Sequence, residues 1–391
     1  MPLWRQSLKI FCGVVSAAML TSGAALAAID TPASHAVIYD YDSGEVLYCK
    51  NCDERMPPSS MSKLMTVELL FQRLKDGRLK LTDTFHVTEN AWRQGLQSNE
   101  SRMFLDLNSD VPIDDLLKGI IVQSGGDACV VVAESIGGSE SGFADLENKR
   151  AKEIGLTQSH FANSSGMPDP EQYMSAHDLA RLAAHLVHDY PQYYPYFAIR
   201  DFTWNKDAKG KPITQANRNR LLGSDGVDGL KTGHTDAGGY GMVSSAMRQG
   251  RRIITVVNGL TSDNERTSES RRLLDIGFRD FKHYTLLDAG AVVGEAAVFG
   301  SSEKTVPLQV KEAVAMTMSP DSRTDMKATI KYTGPVKAPI VAGQQIGTLT
   351  ITVPGTPDKT VPVYATKAVS SSGIFAKMIA GMKALISGKP D

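Results

Sequence analysis

Cysteine is scarce in this chain, with four residues among 391, too few for a fold stapled by disulfides. Cys12 lies in the N-terminal apolar run, which leaves Cys49, Cys52 and Cys129. A structural zinc site needs four ligands, and Cys49-Lys50-Asn51-Cys52 has no second pair to join it, so no metal is expected. A thioredoxin-like redox site would follow a strand and open a helix, whereas this pair follows a hairpin. It reads as a small local disulfide, with two free thiols as the alternative. Cys129, inside the apolar run Ala128 to Ala133, reads as a buried small hydrophobe.

Charge of one sign is lacking too. The 42 lysines and arginines against 43 aspartates and glutamates give a formal net charge of -1, so no global field exists to hold a polyanion and no nucleic-acid partner is expected. Long apolar runs are also missing. The N-terminal run from Ile10 to Leu20 falls short of the about 20 residues that a membrane-crossing helix needs. Arg5 and Lys9 precede it and Ala25-Leu26-Ala27 follows, which is the pattern of a secretory signal with an A-x-A cleavage site. Residues 1–27 therefore read as a signal peptide, and the mature protein as exported. The rest, with 42% apolar and 22% charged residues in the whole chain, has globular proportions and length for one large domain and a small one.

Ala36 to Tyr48 alternates as two short strands around Asp42-Ser43-Gly44, a hairpin. Pro57-Pro58-Ser59 ends the extended segment. Met61, Leu64, Met65, Val67, Leu69, Leu70, Phe71 and Leu74 then cover a helix nearly all round, which predicts a buried one. Further helices are expected at 113–122, 127–136, 143–154 and 175–188, the last opened by the capping box Ser175-Ala176-His177-Asp178. Strands at 239–247 and 252–260 form a second hairpin, and a helix at 264–281 closes the first domain. The expected fold is α+β, an antiparallel sheet covered by helices. Residues 284–369 alternate in short strands, as in Gly347-Thr348-Leu349-Thr350-Ile351-Thr352-Val353, and predict a small all-β domain, a sandwich. After Ser370-Ser371-Ser372-Gly373, residues 374–386 place Phe375, Met378, Ile379, Met382, Leu385 and Ile386 at helical spacing with lysines near by. Such a helix suits a membrane surface; docking on the β domain is the alternative.

Ser60-Met61-Ser62-Lys63 opens the buried helix. Positions i and i+3 share a helix face, so the hydroxyl and the amine stand together. A desolvated, neutral lysine can take the proton that keeps serine a weak nucleophile. A second copy, Ser301-Ser302-Glu303-Lys304, falls in a surface turn and lacks that setting. Two further motifs follow in order: Gln123-Ser124-Gly125-Gly126-Asp127 at a turn between helices, and Asp228-Gly229-Leu230-Lys231-Thr232-Gly233-His234-Thr235 leading into a strand. All three in this order form the signature set of penicillin-recognising serine enzymes.

With these motifs, and with Ile199-Arg200-Asp201-Phe202-Thr203 and Asn217-Arg218-Asn219, the chain resembles the low-molecular-mass penicillin-binding proteins. More narrowly, it resembles serine D-alanyl-D-alanine carboxypeptidases of the bacterial periplasm, peptidase family S11. The resemblance covers the whole chain and implies a β-lactamase/transpeptidase-like domain at 28–283, an all-β domain at 284–369 and a linker with a membrane-surface helix at 370–391. It implies a periplasmic enzyme, peripheral on the outer face of the inner membrane, that needs no cofactor and removes the terminal D-alanine from a peptidoglycan pentapeptide. Ser60 would be the nucleophile, Lys63 the general base, and Ser124 a bridge between them and the proton relay to the leaving amine. Lys231 would hold positive charge near Lys63, with Thr232, Gly233, His234, Thr235 and Arg200 in the substrate site. Thr232, Thr235 and Arg200 would bind the terminal carboxylate. Backbone N–H groups of Ser60 and His234 would form the oxyanion hole, worth roughly 3 kcal/mol per donor in other enzymes. β-Lactams would acylate Ser60 and stall there.

One position departs from the pattern. The serine turn usually ends in asparagine, whose amide touches both the lysine and the substrate carbonyl, and here Gly126 stands there. Weaker substrate positioning is expected unless Asn163 or a water supplies the contact. The alternatives are a catalytically weak peptidoglycan-binding or β-lactam-sensing protein, or a DD-endopeptidase. A β-lactamase would carry an activating glutamate before the Lys-Thr-Gly strand, and Glu171 lacks the surrounding pattern. His185 and His188, three apart, have no third ligand and read as a solvated helix face; His160 and His177 read as structural, and Asp127 and Glu134 as ordinary polar positions.

Overall fold

A computed structural model of the chain describes residues 29–97, 100–320, 322–353 and 358–372. The expected signal peptide and the expected amphipathic helix lie outside the described residues. From the N-terminus run β1 (His35–Asp40) and β2 (Glu45–Lys50), then a 3-10 turn at Ser59–Ser62 that continues into α1 (Lys63–Lys75). Next come β3 (Thr84–His86), α2 (Glu89–Gln97), β4 (Asp110–Pro112), α3 (Ile113–Lys118), α4 (Gly126–Gly137), α5 (Glu140–Glu153) and α6 (Ala176–Asp189). The domain closes with β5 (Asp201–Lys206), β6 (Pro212–Ala216), β7 (Val227–Thr235), β8 (Gly239–Arg248), β9 (Arg251–Leu260) and α7 (Asp263–Arg279).

The main sheet has the order β2-β1-β9-β8-β7 and is antiparallel throughout. β9 is buried on both faces, so Ile253 to Val257 are all buried and, Thr255 apart, apolar instead of alternating. Val37, Val243, Ile254 and Val256 join the core with α1, α4 and α6, while Ile38 and Ile253 meet Gly277 of α7. β7 lies at the sheet's edge, so one side of its backbone is left without a strand partner among the described residues.

α1 is buried nearly all round, as its composition predicts. Met61, Leu64, Met65, Leu70 and Phe71 are wholly buried, each contributing about 1.5–3 kcal/mol of transfer free energy. The helix ends at Gly77, whose φ of +71° suits the reversal. Arg78 N–H reaches Arg73 O and Gly77 N–H reaches Leu74 O, at 2.9 and 3.2 Å, a Schellman closure.

Residues beyond α7 form a separate all-β domain with its own core. A two-stranded sheet joins β10 (Lys282–Leu287) to β13 (Val314–Met318). The larger sheet is built from β11 (Val292–Phe299), β12 (Thr305–Gln309), β14 (Lys327–Tyr332), β15 (Val336–Lys337), β16 (Gln345–Thr352) and β17 (Lys359–Ala365). Its order is β14-β16-β17-β12-β11-β15. Glu45 of β2 ties this domain to the first, accepting from Thr317 N at 2.6 Å and pairing with Lys359 at 2.9 Å. The second Ser-x-x-Lys copy lies in non-helical chain here, so its serine and lysine gain no common helix face.

Several readings need correction. The helix expected over 113–122 breaks at Lys118 and continues as a π-helical stretch, Gly119–Gln123. The Lys-Thr-Gly triplet does not precede a strand but lies inside β7. His185 is not on a solvated face: it lies 3.1 Å from buried Glu68, which also takes hydrogen bonds from Arg150 and Tyr190. Asp127 is no ordinary polar position either, since its buried carboxylate accepts the backbone N–H groups of Met103, Phe104 and Leu105.

Candidate active site

Three elements converge on one cleft of about 890 Å³, lined by Ser60, Glu100, Ser124, Arg218, Thr232, Gly233, His234, Thr235 and Arg266, among others. The 3-10 turn presents Ser60. One helical step on, wholly buried Lys63 places its Nζ 2.9 Å from Ser60 Oγ. The same nitrogen lies 2.6 Å from Ser165 O and 3.1 Å from Glu100 Oε1. Across the cleft, the π-helical stretch ends in Ser124, held at φ +58° in the left-handed region. Non-glycine residues rarely adopt that conformation, and it collects at functional sites. Ser124 Oγ accepts from Lys231 Nζ at 2.9 Å. Ser124 therefore bonds Lys231 and not Lys63, whose contacts are Ser60, Ser165 and Glu100.

β7 brings Lys231, and Gly233 is what lets the strand close on the turn that carries Ser60. A Cβ at 233 would stand 3.0 Å from both Pro58 O and Ser59 Cβ. Thr235 Oγ1, 2.8 Å from Ser59 Oγ, ties the strand end to the same turn. Burial, and then the charges of Lys63 and Arg218, hold Lys231 well below the usual lysine range. The positive charge expected on Lys231 is thus disfavoured in the free site, and an arriving anion would favour it.

Residues 21–262 match the peptidase S11 family, D-alanyl-D-alanine carboxypeptidase, and residues 281–371 match the penicillin-binding protein 5 C-terminal domain. The chain belongs to the D-alanyl-D-alanine carboxypeptidase family. It is 36% identical over 346 residues to D-alanyl-D-alanine carboxypeptidase DacA of Haemophilus influenzae, covering 88% of this chain and 86% of that one. It is 36% identical over 366 residues to DacC of Escherichia coli, covering 92% and 90%. Among solved structures, DacD of Francisella tularensis superposes with a TM-score of 0.76 at 31% identity, over 88% of this chain and 95% of that one. Penicillin-binding protein 5 of Haemophilus influenzae gives 0.70 at 35%, over 88% and 98%. The chain is accordingly a serine D-alanyl-D-alanine carboxypeptidase, α+β with an antiparallel sheet and a separate all-β domain.

Within this family frame, two sequence expectations fail on geometry. Arg200 is exposed and does not line the cleft; its guanidinium lies across Gly223, where a Cβ would stand 1.8 Å from Nη2. Arg218 and Arg266 line the cleft instead. Arg218 donates to Gln123 O at 2.6 Å and has no acidic partner among the described residues, whereas Arg266 shares Asp263 with Arg220. Asn163 does not supply the contact missing at Gly126. Its Oδ1 caps the backbone N–H groups of Ser165, Gly166 and Met167, and its Nδ2 donates to Met167 O. Glu100 belongs to no motif, so the sequence carries no signal for it. Arg218 carried a signal, lying in one of the stretches that resemble the family.

The pair Cys49 and Cys52 is a disulfide with Cα atoms 5.2 Å apart, and Cys129 is a buried free thiol. The only grouping of metal-ligand type among the described residues is Cys49, Cys52 and Asp53, whose sulfurs are committed to each other.

Proposed function

We propose that Ser60 attacks the carbonyl between the two terminal D-alanines of a peptidoglycan pentapeptide, releases the last one, and yields the ester to water. The observation that supports this is the Lys63 amine, buried and 2.9 Å from a serine that opens onto the cleft. Lys63 takes the Ser60 proton as the hydroxyl attacks. Ser124, backed by Lys231, passes a proton to the departing amine. Backbone N–H groups of Ser60 and His234 stabilise the oxyanion, and Thr232, Thr235 and Arg218 receive the terminal carboxylate. As that anion arrives it favours the Lys231 ammonium, so the proton needed by the leaving group is taken up with the substrate. A β-lactam would enter by the same first step.

The test is release of D-alanine from a short peptide ending in Lys-D-Ala-D-Ala, with Ser60→Ala as control; release no greater than the control's would overturn the assignment.

Residues 1–27 serve as the export signal to the periplasm in this reading. The catalytic domain is residues 28–283, the all-β domain 284–369, and 370–391 the tail that rests on the outer face of the inner membrane. Among the described residues no helix is long and apolar enough to cross a membrane. Deleting residues 373–391 should move the protein from the membrane fraction to the soluble fraction with D-alanine release retained; unchanged fractionation would count against the tail.

A further inference from the structure

Position 126 has no side chain, yet the space beside it is filled. A Cβ on Gly126 would lie 2.3 Å from Glu100 Oε2 and 2.8 Å from the carboxyl carbon. Oε1 of the same carboxylate stands 3.1 Å from Lys63 Nζ. A carboxylate from another part of the chain therefore occupies the place from which an asparagine at 126 would touch the lysine.

The segment that carries it is fixed to the start of α4. Gly126 N–H donates to Ser101 O at 2.8 Å, and the neighbouring Asp127 carboxylate takes the N–H groups of Met103, Phe104 and Leu105 at 2.8, 2.9 and 3.3 Å. The Glu100 side chain is 12% exposed, so its contact with Lys63 is largely shielded from water.

What the carboxylate does there follows from the valences of an amine. A neutral lysine has two N–H groups and one lone pair. Ser165 O and an ionised Glu100 can only accept, so together they take both N–H groups and leave the lone pair for Ser60. We propose that Glu100 is a positioning residue that replaces the side chain missing at 126 and turns the Lys63 lone pair toward the nucleophile. An ionised carboxylate cannot donate to the substrate carbonyl, so this replacement serves the base and leaves the substrate one hydrogen bond short. The proposal rests on the reading of Lys63 as the base that activates Ser60.

The experiment measures acylation by a fluorescent penicillin, and kcat and KM for D-alanine release, on the mature protein and four variants checked by thermal melting. Glu100→Ala should slow acylation about tenfold or more, the range of direct side-chain couplings. Glu100→Gln keeps a carbonyl oxygen for the lysine and should stay within about threefold of the parent. Gly126→Asn alone should also be slow, because two side chains contest one space. Glu100→Ser combined with Gly126→Asn should recover acylation to within about threefold and lower KM, as the amide regains the substrate contact. The proposal fails if Glu100→Ala acylates at the parent rate, if a folded Glu100→Gln is as slow as the alanine variant, or if Gly126→Asn alone costs nothing. It fails equally if Glu100→Gln acylates normally but holds its ester far longer, since the carboxylate would then act on hydrolysis. Failure of the underlying reading would show in the unmutated protein itself, as no ester on Ser60 and no D-alanine beyond the Ser60→Ala control.

Discussion

The Nζ of Lys231 stands 2.9 Å from the Oγ of Ser124, and no acidic side chain pairs with it among the described residues. With burial, Lys63 and Arg218 all disfavouring its ammonium, Lys231 can both accept and return a proton through Ser124. Arginine at this position would keep a permanent charge but could do neither. Lys231→Arg should therefore lower kcat/KM for the D-Ala-D-Ala peptide by about a hundredfold, the scale of lost proton transfer. Near-parent activity in that variant would show that charge alone is required.

Arg218 lines the cleft with no carboxylate partner among the described residues, which suits it to the proposed role of receiving the substrate's terminal carboxylate. Losing a charge-assisted hydrogen bond costs about 1.5–3 kcal/mol, so Arg218→Gln should raise KM about tenfold or more, with kcat little changed. The variant should also lose discrimination against a peptide whose C-terminus is amidated. Arg200→Ala, outside the cleft, should leave both constants within about twofold, as surface substitutions do. The reverse pattern, with Arg200 sensitive and Arg218 not, would refute this placement.

These two arginines show what was legible in the sequence. Local pattern sufficed for α1, whose apolar residues surround the helix, and for the hairpins β1–β2 and β8–β9. It also placed Ser60 beside Lys63, because that proximity is a property of one helical turn. It did not reveal the full extent of β7: Val227 to Thr235 is buried over most of its length and carries two glycines, so no apolar alternation marked it. Arg200 and Arg218 flank the β5–β6 hairpin, and which of them faces the cleft depends on how that hairpin packs. Glu100 was harder still. Its role depends on a lysine and a glycine from elsewhere in the chain, joined only when α4 docks beside α1.

The disulfide gives a stability prediction without a loss of function. Cys49 and Cys52 close a very short loop, and the chain-entropy relation assigns such a loop about 2 kcal/mol. Cys49→Ser with Cys52→Ala should lose about that much in denaturant unfolding while D-alanine release at 25 °C persists, because neither residue lines the cleft. A null shift in the midpoint would mean that strain in the folded state cancels the entropy.

Thr66, one turn beyond Lys63 on α1, has a single hydroxyl proton and two neighbours for it, Ser164 O at 2.6 Å and Glu147 Oε1 at 3.0 Å. The carbonyl can only accept, so the proton belongs there, and the contact with Glu147 is complete only when that carboxyl brings its own. Glu147 is wholly buried, its Oε2 has no partner among the described residues, and burial pushes its carboxyl well above the usual range against the smaller opposing pull of Thr66. The folded protein thus keeps a proton that the unfolded chain releases above about pH 4.3. The stability this contributes is full below that pH. It falls by about 1.4 kcal/mol per unit as pH rises toward the raised value of the folded state. Glu147→Gln carries no titrating group and retains a donor for Thr66. Its melting temperature should match the parent's near pH 4 and exceed it progressively toward pH 8, and a gap that stays constant with pH would sink the argument.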